Sequence, residues 1–231
     1  MCRTDKGRRT HRTHRPLIMA KLSSQISVST TAPAVETNFT PQLLIPCEAP
    51  YRDESRHHFP CIHAIKARRA VPDVRLVEEF EKAISAAQKV WIIDKHLFSA
   101  DGPKPDHVRR IKKVVEWFYT ENIQTIKILT GHHDSQKEIE KNFEDLKRLV
   151  TEDRAKLAPP ITIALSFALR DADCIHDRFA IIDNELWHFG ATVGGFHRDV
   201  NAVSRGWNAQ THDAVQFFDT AWKMASDNGR K

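Results

Sequence analysis

Short apolar segments alternate with amphipathic helical segments along the middle of the chain, and this alternation constrains the fold more than any other feature. The first of these segments has a fully apolar core, Val90 to Ile93, which is typical of a buried strand in a parallel sheet. The intervening segments repeat their apolar residues at helical spacing. Helices are predicted at 72–88, 107–122 and 135–153, and strands at 90–93, 125–130 and within 159–167.

After residue 170 this alternation stops. Residues 174–183 and 186–192 read as two strands joined by a tight Asn184–Glu185 connection, which predicts an antiparallel hairpin rather than a crossover. A last helix is expected at about 211–225, with Phe217 among its buried residues. The order of elements predicts an α/β fold whose mixed sheet is flanked by helices.

The first 72 residues lack this regularity. Residues 1–40 are basic and then rich in Ser and Thr, and they predict a disordered tail. The alternatives are a basic arm for an acidic partner, an organelle presequence, or residues upstream of a true start at Met19. Residues 41–72 are rich in proline and predict an irregular extension, which leaves the folded domain at 73–228. The net charge of +5 is carried by residues 1–18, so the rest of the chain is neutral overall.

The remaining composition narrows the class of protein. No run of about 18 apolar residues is present, so no transmembrane segment is expected. The four cysteines form no CxxC pair, and without a secretory signal they indicate reduced thiols in a cytoplasmic protein. A zinc site built from Cys47, Cys61 and His57, His58 and His63 fits no usual spacing, so we predict neither a metal nor a cofactor.

The predicted hairpin carries the residues with the most distinctive chemistry. In CIHDRFAIID, His176 and Arg178 are two residues apart, so on a strand they would share a face about 7 Å apart. Arginine matches phosphate oxygens with a planar, permanently charged fork, and histidine can act as nucleophile or proton donor near neutral pH. Beyond the hairpin, Gly190, Thr192 and Gly194 lie where backbone N–H groups could approach an anion.

These residues resemble the motif of the phospholipase D superfamily, H-x-K-x4-D-x6-G-S-x-N. His176, Asp183 and Gly190 fall in register with the histidine, the aspartate and the glycine, and Arg178 stands at the lysine position. The chain has Ala191 where the family has serine and Val193 where it has asparagine. Together with the order of elements, the resemblance covers about residues 73–225.

The resemblance implies a metal-independent phosphodiesterase, such as a nuclease, in which His176 forms a phosphohistidine and Arg178 and Asp183 complete the catalytic set. It also implies phosphate binding by Arg178, Gly190, Thr192 and Gly194. One chain carries one motif, so the active form would be a homodimer with the site between two copies. The alternative is an inactive domain that binds phosphate groups of nucleic acid or of anionic lipid, and of these two ligands we favour nucleic acid.

Several polar residues have a second interpretation. His176 and Arg178 could form a strand-end ion pair with Asp177 or Asp183. Ligands of open α/β sheets gather at the carboxyl ends of strands. Residues 94–96 and 132–134 follow two predicted strands, so they are further candidates for lining the site. For Asp94 we favour a turn or capping role. His188, His197, Arg198 and Arg205 could be further phosphate ligands or a solvated rim.

Overall fold

The computed structural model describes residues 39–44, 74–100, 106–153, 160–172, 174–195 and 201–228. Predictions for the tail up to residue 38 and for the proline-rich extension over 45–73 lie outside these ranges, as do Cys47 to His63. None of the helices in these ranges combines the length and the apolar composition of a transmembrane segment.

The middle of the domain follows the predicted alternation of helices and strands. In chain order these elements are α1 (Val74–Ala86), β2 (Lys89–Asp94), α2 (His107–Glu116), β3 (Thr125–Thr130), α3 (Gln136–Asp153) and β4 (Thr162–Ser166). They are preceded by a short strand, β1 (Gln42–Leu44), and followed by a 3₁₀ turn at Leu169–Ala172, β5 (Arg178–Ile182), β6 (Glu185–Phe189), β7 (Val203–Asn208) and α4 (Ala214–Asn228).

All seven strands form one mixed sheet, in the order β1-β7-β6-β5-β2-β3-β4. The pairs β2–β3 and β3–β4 are parallel, whereas the other four neighbouring pairs are antiparallel. The predicted α/β class, with a mixed sheet flanked by helices, is therefore confirmed.

Helices cover both faces of the sheet, which explains why the central strands are apolar on both sides. On one face, Ile92, Ile128 and Ala180 pack with residues of α1, α2 and α3. Phe80 of α1 lies edge-on against Trp187 and Phe189 of the hairpin, at ring-centroid distances of 5.5 and 5.2 Å. On the other face, α4 packs through its buried side chains; Trp91 stacks on Phe218 at 4.9 Å.

Several details of the sequence prediction are wrong. Gln42–Leu44 were expected to be irregular, but they pair with β7 at the sheet edge. Strand β7 itself was not predicted. Strand β5 begins at Arg178 rather than at Cys174, and the hairpin turn consists of Asp183 and Asn184 rather than Asn184 and Glu185.

The predicted helices also need correction at their ends and faces. Helix α4 begins at Ala214 rather than near Thr211, and its Phe217 is 48% exposed instead of buried, because the helix turns Phe218 and Ala221 towards the sheet. Helix α2 stops at Glu116. Helix α3 begins after Ser135, whose carbonyl accepts from the Glu138 and Ile139 N–H groups at 2.9 and 3.0 Å.

Candidate phosphate-binding site

The site lies at the sheet edge where β2, β3 and β4 end. Because these three strands are parallel, their carboxyl ends meet at one edge, and the antiparallel β5 begins there with Arg178. Ile93 pairs with Phe179, so Asp94 and Arg178 follow as neighbours across the same two strands. We call this edge the polar edge.

Arg178 faces a buried carboxylate. Its Nε lies 3.7 Å from Oδ1 of Asp94; the side chain of Asp94 is fully buried and that of Arg178 is 20% exposed. By strand alternation both side chains are on the face covered by α1, α2 and α3, since Ile92 and Ala180 belong to that core. The buried carboxylate of Asp94 thus lies beside the guanidinium on its protein side, while part of the Arg178 side chain reaches solvent.

Asp94 is fixed by backbone donors from two different loops. The His96 N–H donates to Oδ1 and the Val193 N–H donates to Oδ2, both at 2.8 Å. The Thr130 hydroxyl donates to the Asp94 carbonyl at 2.7 Å, which joins β2 to the end of β3. The bond from His96 is the turn role that the sequence favours for Asp94, and the contacts with Val193 and Arg178 add a second role.

Burial dominates the electrostatics of this carboxylate. Burial raises the pKa of Asp94 to about 6 from the ordinary value of 3.8, against the opposing effects of the hydrogen bonds from His96 and Val193 and of the charges on Arg178 and Arg110. Arg110 is itself buried on α2. Asp94 therefore stays ionised at neutral pH but gains a proton in mildly acidic solution.

The glycine-rich loop after β6 folds onto Asp94. The Gly190 N–H donates to the Ala202 carbonyl and the Gly195 N–H donates to the Thr192 carbonyl, both at 3.0 Å, while the Val193 N–H donates to Asp94. Gly194 has φ +84°, a left-handed conformation that favours glycine. These three N–H groups are thus used within the protein, and anion binding by Thr192 and Gly194 stays a prediction.

We predicted that His176 shares a strand face with Arg178. It does not, because β5 begins only at Arg178. The imidazole of His176 is exposed in the segment that leads into the strand. The neighbouring Asp177 lies 3.8 Å from His188, between Oδ2 and Nε2, and both side chains are exposed. His176 is therefore near Arg178 in sequence and on the solvent side of the polar edge.

Asp183 lies at the opposite end of β5, about 16 Å from Arg178 along the strand. It occupies the hairpin turn with φ +53°, and its Oδ1 accepts from the Gln88 and Lys89 N–H groups at 3.0 and 2.9 Å. Asp183 thus anchors the hairpin to the start of β2 and does not contribute to a site at the polar edge.

Histidines are concentrated at the polar edge and around the adjoining start of α2. Within the described ranges, every histidine except His212 lies there. The His107 and His133 rings are in edge contact at 5.2 Å, and burial lowers the pKa of His133. The Nδ1 atoms of His107 and His133 accept from the Ala100 and Ser135 N–H groups.

Arg205, another residue considered as a phosphate ligand, forms contacts within the sheet. The guanidinium of Arg205 donates to both carboxylate oxygens of Glu185, at 2.9 and 3.1 Å, and stacks on Trp187 at 4.1 Å. It therefore ties β7 to β6 instead of binding phosphate. His197 and Arg198 lie outside the described residues. No three His, Cys, Asp or Glu side chains converge as metal ligands in the described part of the chain.

Comparisons with known proteins give only distant likenesses. No family model and no curated protein matches the chain. Similar solved structures include an archaeal chromatin protein, TrmBL2, described as having a novel mode of DNA binding, and polyphosphate kinase from Porphyromonas gingivalis. TrmBL2 is 10% identical with a TM-score of 0.36, over 64% of this chain and 49% of that one. The kinase is 11% identical with a TM-score of 0.39, over 83% and 27%. The chain thus spans about half of the first protein and about a quarter of the second, and neither likeness bears on function.

Proposed function

We propose that residues 73–228 are a phospholipase D-like half-domain that binds phosphate groups of nucleic acid through Arg178. The observation that carries this proposal is the ion pair between the partly exposed Arg178 and the fully buried Asp94. The carboxylate contacts Nε, so the guanidinium is oriented with its two Nη groups as further donors. An oriented guanidinium at the open end of a sheet is suited to a phosphate group.

Binding without cleavage is the better-supported form of this function. Ala191 and Val193, at the serine and asparagine positions of the family motif, are both buried and apolar. Loss of a single hydrogen-bond donor to the charge that develops in the transition state lowers the rate roughly 10²–10³-fold. Here two such donor side chains are missing. Asp183 is at the far end of β5. Only His176 and Arg178 remain from the proposed catalytic set.

A phosphodiesterase that acts as a homodimer is the second candidate, and the exposure of His176 favours it. In this candidate, an imidazole nitrogen of His176 attacks phosphorus, and the alcohol leaves with a proton from His176 of a second copy. Water then cleaves the phosphorus–nitrogen bond and returns the proton. Neither step needs a metal or another cofactor.

Binding of a fluorescent single-stranded oligonucleotide, followed by anisotropy, tests the first candidate. We expect Arg178→Gln to weaken binding by about tenfold to a hundredfold, because a charge-assisted hydrogen bond is lost. Lys147→Gln is the matched control: it removes the same charge from an exposed position on α3, about 16 Å beyond the start of that helix. Equal affinities for wild type and Arg178→Gln would contradict the proposal.

Hydrolysis in EDTA separates the two candidates. We expect no turnover of single-stranded DNA or of a chromogenic phosphodiester by the wild-type protein, whether light scattering gives a monomer or a dimer. Turnover by a dimer that persists in EDTA and disappears in His176→Ala would instead establish the phosphodiesterase.

A further inference from the structure

A cleft opens at the polar edge beside the ends of β3 and β4. It has a volume of about 340 Å³ and is lined by His132, Phe167, Ala168 and Arg170. His132 follows β3 directly, and Phe167 and Ala168 follow β4. None of these residues belongs to the family motif, and the proposed phosphate contact at Arg178 does not use them.

The lining combines an aromatic wall with positive charge. Phe167 is half-buried and packs against the core, with its ring 6.5 Å from that of Phe98, so it is held in place. Arg170 is exposed, and the imidazole of His132 lies 3.8 Å from the exposed Asp134 at the rim. A fixed aromatic ring with an adjacent guanidinium is a combination that binds nucleobases by stacking and the linked phosphates by charge.

The spacing of the strands relates the cleft to Arg178. Strands β5 and β4 are three steps apart in the sheet, about 14 Å at roughly 4.8 Å per step. A stacked single strand rises about 3.4 Å per nucleotide, so about four nucleotides cover this distance. Both positions lie at the polar edge, and Phe167 and Arg178 are on the side of the α1–α3 core, whereas Ala168 packs against the core on the α4 side.

The geometry points to this cleft as a nucleobase subsite, which makes the ligand single-stranded nucleic acid; this inference rests on the proposed phosphate binding by Arg178. A paired base in a duplex is stacked inside the helix and cannot enter the cleft. An anionic lipid surface would use the charges of the edge but not the aromatic wall. An unpaired strand uses both: its phosphates bind the charges and its bases stack on the aromatic wall.

The experiment compares ligands that differ only in their bases. Dissociation constants are measured for a 12-nucleotide single strand, for an abasic strand of the same length and charge, for the corresponding duplex and for vesicles of phosphatidylcholine with phosphatidylserine. We expect the single strand to bind at least about fivefold more tightly than the abasic strand, as stacking on one aromatic side chain implies. We expect weaker binding of the duplex and of the vesicles.

Two variants of the cleft test the same point. Phe167→Leu removes the aromatic wall, and Ala168→Leu fills the cleft without touching its charges. We expect both to bring the affinity for the normal strand down to that for the abasic strand, and to leave the abasic affinity unchanged. Thermal unfolding identifies a variant that fails to fold; Ala168→Leu keeps the test valid if the loss of the Phe167 ring disrupts the core.

The outcomes separate this inference from the function on which it rests. Equal affinities for the normal and abasic strands, both weakened by Arg178→Gln, would overturn the nucleobase subsite and leave phosphate binding intact. Binding that is unaffected by Arg178→Gln would overturn both. Tighter binding to the vesicles than to either strand would assign the polar edge to a lipid surface and so contradict the inference.

Discussion

The two ends of strand β5 each depend on an aspartate that accepts two backbone N–H groups, and the comparison shows what burial adds. At the turn, Asp183 is exposed and receives both bonds on Oδ1, from Gln88 and Lys89. At the polar edge, Asp94 is fully buried and uses both oxygens, for His96 and Val193. Asp94 lies 3.7 Å from Arg178, whereas Asp183 interacts with the charge of Lys89 at the start of β2.

The two carboxylates therefore do the same structural task with different consequences. Solvent screens the charge of Asp183, so its interaction with Lys89 is weak and its main contribution is the two hydrogen bonds. Burial makes the charge of Asp94 costly unless it is compensated, and it couples this charge to Arg178, to Arg110 and to pH. A change at the turn should affect stability alone, whereas a change at Asp94 should affect both stability and phosphate binding.

The largest effect is expected for Asp94→Ala. This change leaves Arg178 and the buried Arg110 without the carboxylate and removes the acceptor of two N–H groups, which should lower the free energy of unfolding by about 3–5 kcal/mol. Urea unfolding measures it. Asp94→Asn keeps an acceptor oxygen and should therefore lower the free energy of unfolding much less. If Asp94→Ala lowers the free energy of unfolding no more than Asp183→Ala does, the two ends of β5 are equivalent and the comparison fails.

The pH dependence of stability should differ between the two ends. Folding raises the pKa of Asp94 from 3.8 to about 6, so between these pH values the folded protein holds a proton that the unfolded chain has released. Stability conferred by this group therefore falls as the pH rises from about 4 to 6, by about 3 kcal/mol. Urea unfolding of wild type relative to Asp94→Asn isolates this contribution; a flat difference across the window would contradict it.

A smaller loss is expected for Asp183→Ala. Two hydrogen bonds, from Gln88 and Lys89, disappear and alanine must adopt a left-handed conformation at φ +53°, for a total cost of about 2–3 kcal/mol. Asp183→Asn tolerates this conformation and retains an acceptor, so it should be milder. Oligonucleotide affinity measured on the folded variants should stay at the wild-type value; a loss comparable to that of Arg178→Gln would show that the turn contributes to binding.

The elements predicted correctly are those with strong local patterns. Val90 to Ile93 are apolar on both faces, and Ile139 and Phe143 repeat at helical spacing, so neighbouring residues predict these elements. Strand β7 has no such pattern, because VSRGWN places Arg205 and Gly206 at its centre. Its stability comes from contacts distant in sequence, with β1, Glu185 and Trp187.

The site was predicted only as far as its local motif extends. The charge of Arg178 and its position in a hairpin could be derived from the sequence around it. Asp94 could be recognised as a polar residue at the end of a buried strand, but its bond with Val193 joins residues 99 positions apart, which no local pattern contains. The prediction that His176 and Arg178 share a face failed because the exact start of a strand is set by pairing, here with β2 and β6.

The salt dependence of binding tests most directly whether Arg178 contacts phosphate. The logarithm of the association constant for a single strand is measured against the logarithm of salt concentration for wild type, Arg178→Gln and the control Lys147→Gln. Each phosphate contact contributes about 0.7 to the slope for single strands, so Arg178→Gln should reduce the slope by about this amount and Lys147→Gln should leave it unchanged. Identical slopes for wild type and Arg178→Gln would contradict the assignment of Arg178 as a phosphate ligand.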